Sequence, residues 1–332
     1  MSNARKLADN LPIEGQLGNR NLIINGAMEV AQRGTSQSNA NPAIGSVDRM
    51  RFALSGGTGT MSQQTMSASD RATTGFTKYL RLDISAGNNN AGLYYNVEAA
   101  DILHAQGKKL TLSFWAKGTN PGGGSFVVPH YWYDGSNQDD GTSGSLTITS
   151  SWVKYAITFD TATASNVSLT SANARYDVAI LQPNADTSTN AWQLNITGLM
   201  LEVGSQASPF EHEPYETTLS KCRRYFYTLT GAPNGKHLGG VVMRTNQYFY
   251  GYPRSFPTPM RVPPTFTYNN VSLYVGDNTN GFNTMTLAAA ETDAFSFNGN
   301  AAGAVTAAET GHTGLLYIDT QSGRHITFDA DF

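Results

Sequence analysis

Cysteine occurs once in the 332 residues, at Cys222. No intrachain disulfide can brace the fold, so its stability must come from packing or from association between chains. Charge is also scarce: Asp, Glu, Lys and Arg make up 14% of the chain, the formal net charge is −3, and no block of basic residues occurs. A phosphate-binding surface has no support in such a chain, and nucleic acid is not expected as a partner. The helix formers Glu, Lys and Leu are under-represented, and the apolar runs are strand-sized. None is long enough to span a bilayer, so no membrane insertion is expected. Residues 1–20 lack the continuous apolar core of a secretory signal, and synthesis in a cytoplasm is expected, with lysis or particle release carrying the chain outside. Motifs of chemistry are missing as well: no Gly-x-Ser-x-Gly elbow, no phosphate-cradling loop and no His-Glu-x-x-His. The histidines, His104, His130, His212, His237, His312 and His325, show no paired ligand spacing, which speaks against zinc. No cofactor is expected.

What the chain has in abundance is Gly, Ser, Thr and Asn between short alternating segments, the pattern of an all-β protein with a hydroxyl- and amide-rich surface. Its length exceeds what one compact sandwich needs, so two domains are expected. Residues 1–20 hold too little apolar surface to fold alone and read as a tail that orders on docking. Residues 21–213 read as a jelly-roll β-sandwich, 214–227 as a linking helix, and 228–332 as a second, smaller β-sandwich domain. In 110–116, Leu110, Leu112, Phe114 and Ala116 share one strand face and Trp115 points the other way. Val153, Tyr155, Ile157 and Phe159 share a face opposite Trp152. Trp192, Leu194 and Ile196 alternate until Gly198 shifts the phase ahead of Leu199, Leu201 and Val203, which predicts a bulge.

The period then changes. Tyr215, Leu219, Cys222 and Phe226 recur at helical intervals, with Glu216 in the first turn and Lys221, Arg223 and Arg224 in the last, matching the helix dipole. So short a helix must bury its stripe against a domain or against copies of itself. Three such helices meeting on a threefold axis is the expectation. Strand signals return in 240–252, 265–268, 271–275, 285–287, 315–318 and 325–328. The prolines 253, 257, 259, 263 and 264 exclude a central strand between them, because proline cannot donate to the ladder.

Candidate chemistry is of three kinds. Catalytic carboxylates, as a glycan-cutting enzyme would need in a pair, are drawn from Asp134, Asp139, Asp140, Asp160, Asp177 and Asp186, most of them in polar surroundings typical of solvated loops. Cys222 lies on the apolar stripe and behaves as a small hydrophobe. Metal binding has one hint, the oxygen-rich run 134–141 with Asp134, Asp139 and Asp140, whose spacing departs from an EF-hand. Aromatic surfaces are the third kind, since a flat ring packs on the apolar side of a sugar while amides and charged groups reach its hydroxyls. Tyr131 and Tyr133 flank Trp132; in one reading they form a sugar site, and in the other they simply face one side of a strand while Trp132 completes the core. Tyr248, Tyr250 and Tyr252 share a face opposite Phe249 and serve either a receptor or a subunit contact. His312, Arg324 and His325 complete the candidate tip.

One stretch is more specific than any of these. Residues 21–35, Asn-Leu-Ile-Ile-Asn-Gly-Ala-Met-Glu-Val-Ala-Gln-Arg-Gly-Thr, are followed by Val47-Asp48-Arg49 and Phe52. Further on come Ser113-Phe114-Trp115-Ala116-Lys117-Gly118, 152–159, Gly198-Leu199-Met200-Leu201-Glu202-Val203-Gly204, and Pro209-Phe210-Glu211-His212 leading to Cys222-Arg223-Arg224-Tyr225. In order and spacing these segments resemble the carbohydrate-binding-module-like β-sandwich of bacteriophage tail fibre and receptor-binding proteins. The resemblance implies a parallel homotrimer on the virion, joined through residues 1–20 to a tail, baseplate or adaptor protein. It further implies host attachment through a surface glycan or outer-membrane receptor. A tail-borne glycan depolymerase and a structural connector or decoration protein are the alternatives. The resemblance assigns no binding residue, because its motifs are apolar and turn-rich, and Pro209-Phe210 is expected to cover a sandwich edge.

Overall fold

The computed structural model describes residues 20–38, 43–55, 58–85, 90–120, 124–141, 144–183, 191–230, 236–244, 248–269, 271–275, 278–280, 282–301, 313–318 and 325–332. It divides into two compact units, Met1–Tyr215 and Glu216–Phe332. Both are built from antiparallel strands, and no helix among the described residues is long and apolar enough to cross a membrane.

The first unit is a β-sandwich. One sheet runs Ser36–Ser38, Gly59–Thr65, Lys78–Ile84, Trp192–Val203, Lys109–Gly118, Val153–Asp160; the other runs Gln138–Gly141, His130–Tyr133, Arg175–Pro183, Asn90–Glu98, Arg51–Ser55, Ala43–Ile44. The chain passes repeatedly from one sheet to the other, which is why alternate residues of both sheets meet in one core. Phe52, Leu93, Tyr95, Phe114, Trp132 and Tyr176 are all buried there. Leu110, Leu112, Phe114 and Ala116 point into it as their alternation demands, whereas Trp115 joins a smaller cluster with Met66, Phe76, Tyr79 and Trp152. In Trp192–Val203 the pairing with Lys109–Gly118 slips between Thr197 and Met200, and Gly198 sits there at φ +62°, a conformation that costs glycine little. The expected bulge is therefore present.

The opening segment closes the sandwich along that same strand. Leu22 N–H donates to Leu201 O at 2.8 Å, Leu199 N–H donates to Gly26 O at 2.9 Å, and Asn21 Nδ2 donates to Leu199 O at 3.0 Å. Asn25, at φ +63°, donates through Nδ2 to the carbonyls of Val30 and Asp48, so it ties 21–35 to the Val47-Asp48-Arg49 turn. Phe210 is not an edge cover. It packs against Phe76 in the cluster on the first sheet, with ring centroids 4.9 Å apart, while Ser208 N–H and Oγ both donate to the Glu202 carboxylate.

The second unit has a three-stranded sheet, Phe226–Thr230, His325–Asp329, Thr265–Asn269. Its larger sheet runs Arg254–Ser255, Ala294–Ala301, Tyr248–Gly251, Lys236–Met243, Thr313–Ile318, Val271–Val275, Asn278–Asn280, with Phe282–Ala290 also on Ala294–Ala301. The segment read as 240–252 is thus a pair of strands. The proline-rich stretch contributes only the two-residue Arg254–Ser255 and sends Phe256 and Met260 into a core of Phe295, Phe297 and Phe328.

The helix is shorter than its apolar spacing suggests. It spans Tyr215–Arg223, and Phe226 opens a strand instead, paired with Asp329. Tyr225 N–H closes on Cys222 O at 3.0 Å, and Tyr225 O then accepts from Ala330 N–H at 2.8 Å, which turns the chain into the sheet. Leu219 and Cys222 are buried within the chain itself, and Tyr215 is 51% exposed. The stripe Tyr215, Leu219, Cys222, Phe226 therefore does not form one helical face.

Candidate functional site

Strand pairing assembles one polar, aromatic surface on the outward side of the second sheet of the first unit. Asp140 lies opposite Tyr131, Tyr131 opposite Asp177, and Asp177 opposite Asn96. A parallel row holds Gln138, Tyr133, Arg175 and Glu98, and Arg51 faces Tyr94 across the next pair of strands. Side chains alternate along each strand, so burying His130, Trp132, Tyr176, Phe52, Leu93 and Tyr95 in the core forces these neighbours outward together. Trp132 is wholly core, its Nε1–H donating to Ala162 O at 2.7 Å, while Tyr131 and Tyr133 are half-buried on the outer face.

The middle of this surface is fastened. Arg175 Nε donates to both Asp177 oxygens, at 2.9 and 3.1 Å, and Asn96 Nδ2 donates to Asp177 Oδ1. The Arg175 guanidinium sits 4.5 Å from the centroid of the Tyr133 ring, a cation–π distance. Tyr94 Oη–H donates to Gln182 Oε1 at 3.2 Å. Burial pushes the Tyr131 hydroxyl up, the Asp177 carboxylate beside it adds to the rise, and Arg51 opposes it. Tyr94 is raised by burial against the same opposing Arg51. Both hydroxyls thus stay protonated as donors at physiological pH.

Asp177, read from sequence among mostly solvated acids, is instead buried on a strand and held by Arg175 and Asn96. Asp160 is exposed and pairs with Lys109 at 2.9 Å. Asp186 lies outside the described residues. Arg51, Tyr94 and Arg175 escaped sequence reasoning because they lie on three different strands and meet only through strand register. The alternation Arg175-Tyr176-Asp177 was the available signal.

The run 134–141 is a turn at 134–137 leading into the strand Gln138–Gly141, and its acids fasten it. Asp134 accepts from Ser168 N–H at 3.0 Å, Asn137 N–H at 2.7 Å and Ser136 N–H at 2.8 Å, which hold its carboxyl well below the ordinary range. Asp139 is lowered by Asn166, which donates N–H at 2.7 Å and Nδ2 at 2.8 Å. Asp140 accepts from Gln138 Nε2. Among the described residues no three Asp, Glu, His or Cys side chains gather as metal ligands would. Carboxylates with depressed folded-state values add stability that is complete above the ordinary value of 3.8 and is lost as pH falls through the depressed range. Asp134→Asn should therefore melt slightly below the parent at neutral pH, and the two melting curves should converge in strong acid. A gap that persists unchanged to low pH would mean the carboxylate charge is not what fastens the turn.

In the second unit Tyr248, Tyr250 and Tyr252 are 52%, 43% and 58% exposed, and Phe249 between them is buried. Arg244 Nη1 donates to Tyr250 Oη at 2.7 Å. The strand ends at Gly251, so Tyr252 lies just beyond it. His325 belongs to the other, three-stranded sheet, and His312 and Arg324 lie outside the described residues.

No family model matches the chain, and no curated protein matches it. Solved structures similar to part of this chain exist at low identity. The enzymatically active domain of tailspike protein 4 of bacteriophage CBA120 is 11% identical, over 56% of this chain and 22% of that one, with a TM-score of 0.36. TmCBM61, solved with β-1,4-galactotriose, is 13% identical over 56% of this chain and 99% of its own, at a TM-score of 0.31. The family 11 carbohydrate-binding module of Clostridium thermocellum Lic26A-Cel5E is 12% identical over 52% and 98%, also at 0.31. Likeness at this distance transfers neither ligand nor role.

Proposed function

We propose that this chain is a receptor-binding protein of a bacteriophage tail fibre, and that it attaches to the host by gripping a surface glycan without cutting it. One observation carries the reading: Tyr94, Tyr131 and Tyr133 share an outward sheet face with Arg51, Arg175 and Asp140, over a floor fastened by the Arg175–Asp177 ion pair. Rings offer apolar faces to the C–H side of a sugar, and the guanidinium, carboxylate and phenol groups match its hydroxyls. Because the floor is held before any ligand arrives, little ordering is left for binding to oppose. Non-enzymatic action fits the chemistry of the acids. A glycosidase acid needs a raised pKa, whereas Asp70, Asp134 and Asp139, among the described residues, are displaced downward. Three parallel copies, with residues 1–20 toward the tail, would multiply weak sites by avidity.

Labelled full-length protein and susceptible bacteria provide the test. Tyr131→Ala combined with Arg51→Ala is expected to weaken cell binding by at least about tenfold, equivalent to about 1.4 kcal/mol, with the fold intact by circular dichroism. Unchanged binding by the folded variant would sink this site. A second reading rests on the exposure of Tyr248, Tyr250 and Tyr252: if Tyr250→Ala abolishes adhesion while the first-unit variant does not, the second unit grips the receptor. Release of reducing ends from host polysaccharide would mark a depolymerase, and absence of any cell binding by the parent would favour a connector or decoration protein.

A further inference from the structure

We infer that the first unit carries a second saccharide site, separate from the tyrosine face, in a cleft at one end of the first sheet. The cleft has a volume of about 590 Å³, within the roughly 300–1,000 Å³ of small-molecule sites. It lies where Gly59–Thr65 begins, Lys78–Ile84 ends and Trp192–Val203 begins. Its walls carry the hydroxyls of Thr58, Thr60, Ser85 and Thr119, one carboxylate, Asp83, and the apolar surface of Ile84 and Trp192.

That lining selects by chemistry. Among the described residues no basic side chain borders the cleft, so an anion has no counter-charge there. A metal ion is disfavoured too, since Asp83 is the sole carboxylate among the described lining residues and its Oδ1 already accepts from Gln193 Nε2 at 2.5 Å. Hydroxyls alternating with apolar patches suit a neutral polyol, that is, a sugar ring. The hydroxyls are also held in place. Thr58 and Ser85 bond to each other through side chains at 2.7 Å, Thr58 N–H donates to Ser85 Oγ at 3.0 Å, and Thr119 Oγ1 accepts from Gln193 N–H at 2.8 Å.

Trp192 is almost fully buried, edge-on to Phe126 at 5.4 Å, and its indole N–H has no acceptor among the described residues. That N–H is itself closed to solvent, so Trp192 reports on the cleft through the ring edge that lines it and is not a donor to the ligand.

The four tryptophans give four indole ¹H–¹⁵N signals, and Trp192→Phe identifies the one that matters. Lactose, maltose and cellobiose are titrated separately into the full chain. At least one is expected to shift the Trp192 signal saturably in the millimolar range. Asp83→Ala and Thr60→Tyr, both surface changes, should weaken that titration at least tenfold, while Tyr131→Ala should titrate as the parent does. If none of the three sugars moves the signal, or if it moves equally in both cleft variants, the site is overturned. Loss of cell adhesion by the tyrosine-face variant is a different readout, so failure of either site can be told from failure of the other.

Discussion

Gly26→Ala is expected to destabilise the first unit severely. A Cβ at this position would stand 2.0 Å from Leu199 O and 3.1 Å from Leu199 C, and both are backbone atoms that no side-chain rotation can move away. Relief would require the opening segment to lift off the strand Trp192–Val203, breaking the 2.9 Å bond from Leu199 N–H to Gly26 O. Overpacking of this kind costs typically about 1–3 kcal/mol and sometimes more; with backbone on both sides, the upper end applies. For a unit of this size each kcal/mol lowers the midpoint by about 2–4 °C. Trp115, Trp132, Trp152 and Trp192 all lie in the first unit, so tryptophan fluorescence follows its unfolding selectively. Gly144→Ala is the control, because a Cβ there meets nothing within 4 Å. Equal melting of the two variants would mean that the opening segment does not seat on this strand in solution.

This explains why 21–35 stands out in the sequence without marking a ligand. Its two asparagines are spent on backbone: Asn21 on Leu199 and Leu201, Asn25 on Val30 and Asp48. Arg49 continues the chain of contacts by donating through Nη2 to Asn96 O at 2.7 Å, and the Asn96 amide in turn holds Asp177. A scaffold motif thus supports the floor of the candidate glycan surface from behind.

How much could be read beforehand depends on the range of the interaction. The faces of 110–116 and 192–203, and the bulge at Gly198, follow from alternation within single strands, and they stand as expected. Helical spacing extends the helix to Phe226 because a buried aromatic satisfies that spacing whether it sits on a helix or opens a strand. What ended the helix was the non-local bond between Ala330 and Tyr225, from the far end of the chain. The tyrosine face was half legible. Tyr131 and Tyr133 declare a common side by their spacing, but Arg51, Tyr94 and Arg175 join them only through the register of three further strands. Register is long-range information, and each of those residues alone resembles an ordinary surface position.

Arg175→Ala should be the most damaging change on that face. The side chains of Arg175 and Asp177 are 12% and 1% exposed and 2.9 Å apart. Removing the guanidinium leaves a carboxylate in a site that water barely reaches, with Asn96 as a remaining donor. Breaking a buried pair from one side costs about 3–5 kcal/mol, so a fall of about 6–20 °C in the first-unit transition is expected, at 2–4 °C per kcal/mol. Replacing both partners, as Arg175→Met with Asp177→Leu, removes the stranded charge and should restore most of the stability. The two variants together separate packing from recognition. If the double variant melts like the parent yet no longer binds cells, the guanidinium and its stacked Tyr133 ring are part of the grip. If it melts and binds like the parent, the charges of this face are dispensable and the exposed tyrosines of the second unit take over as the receptor surface.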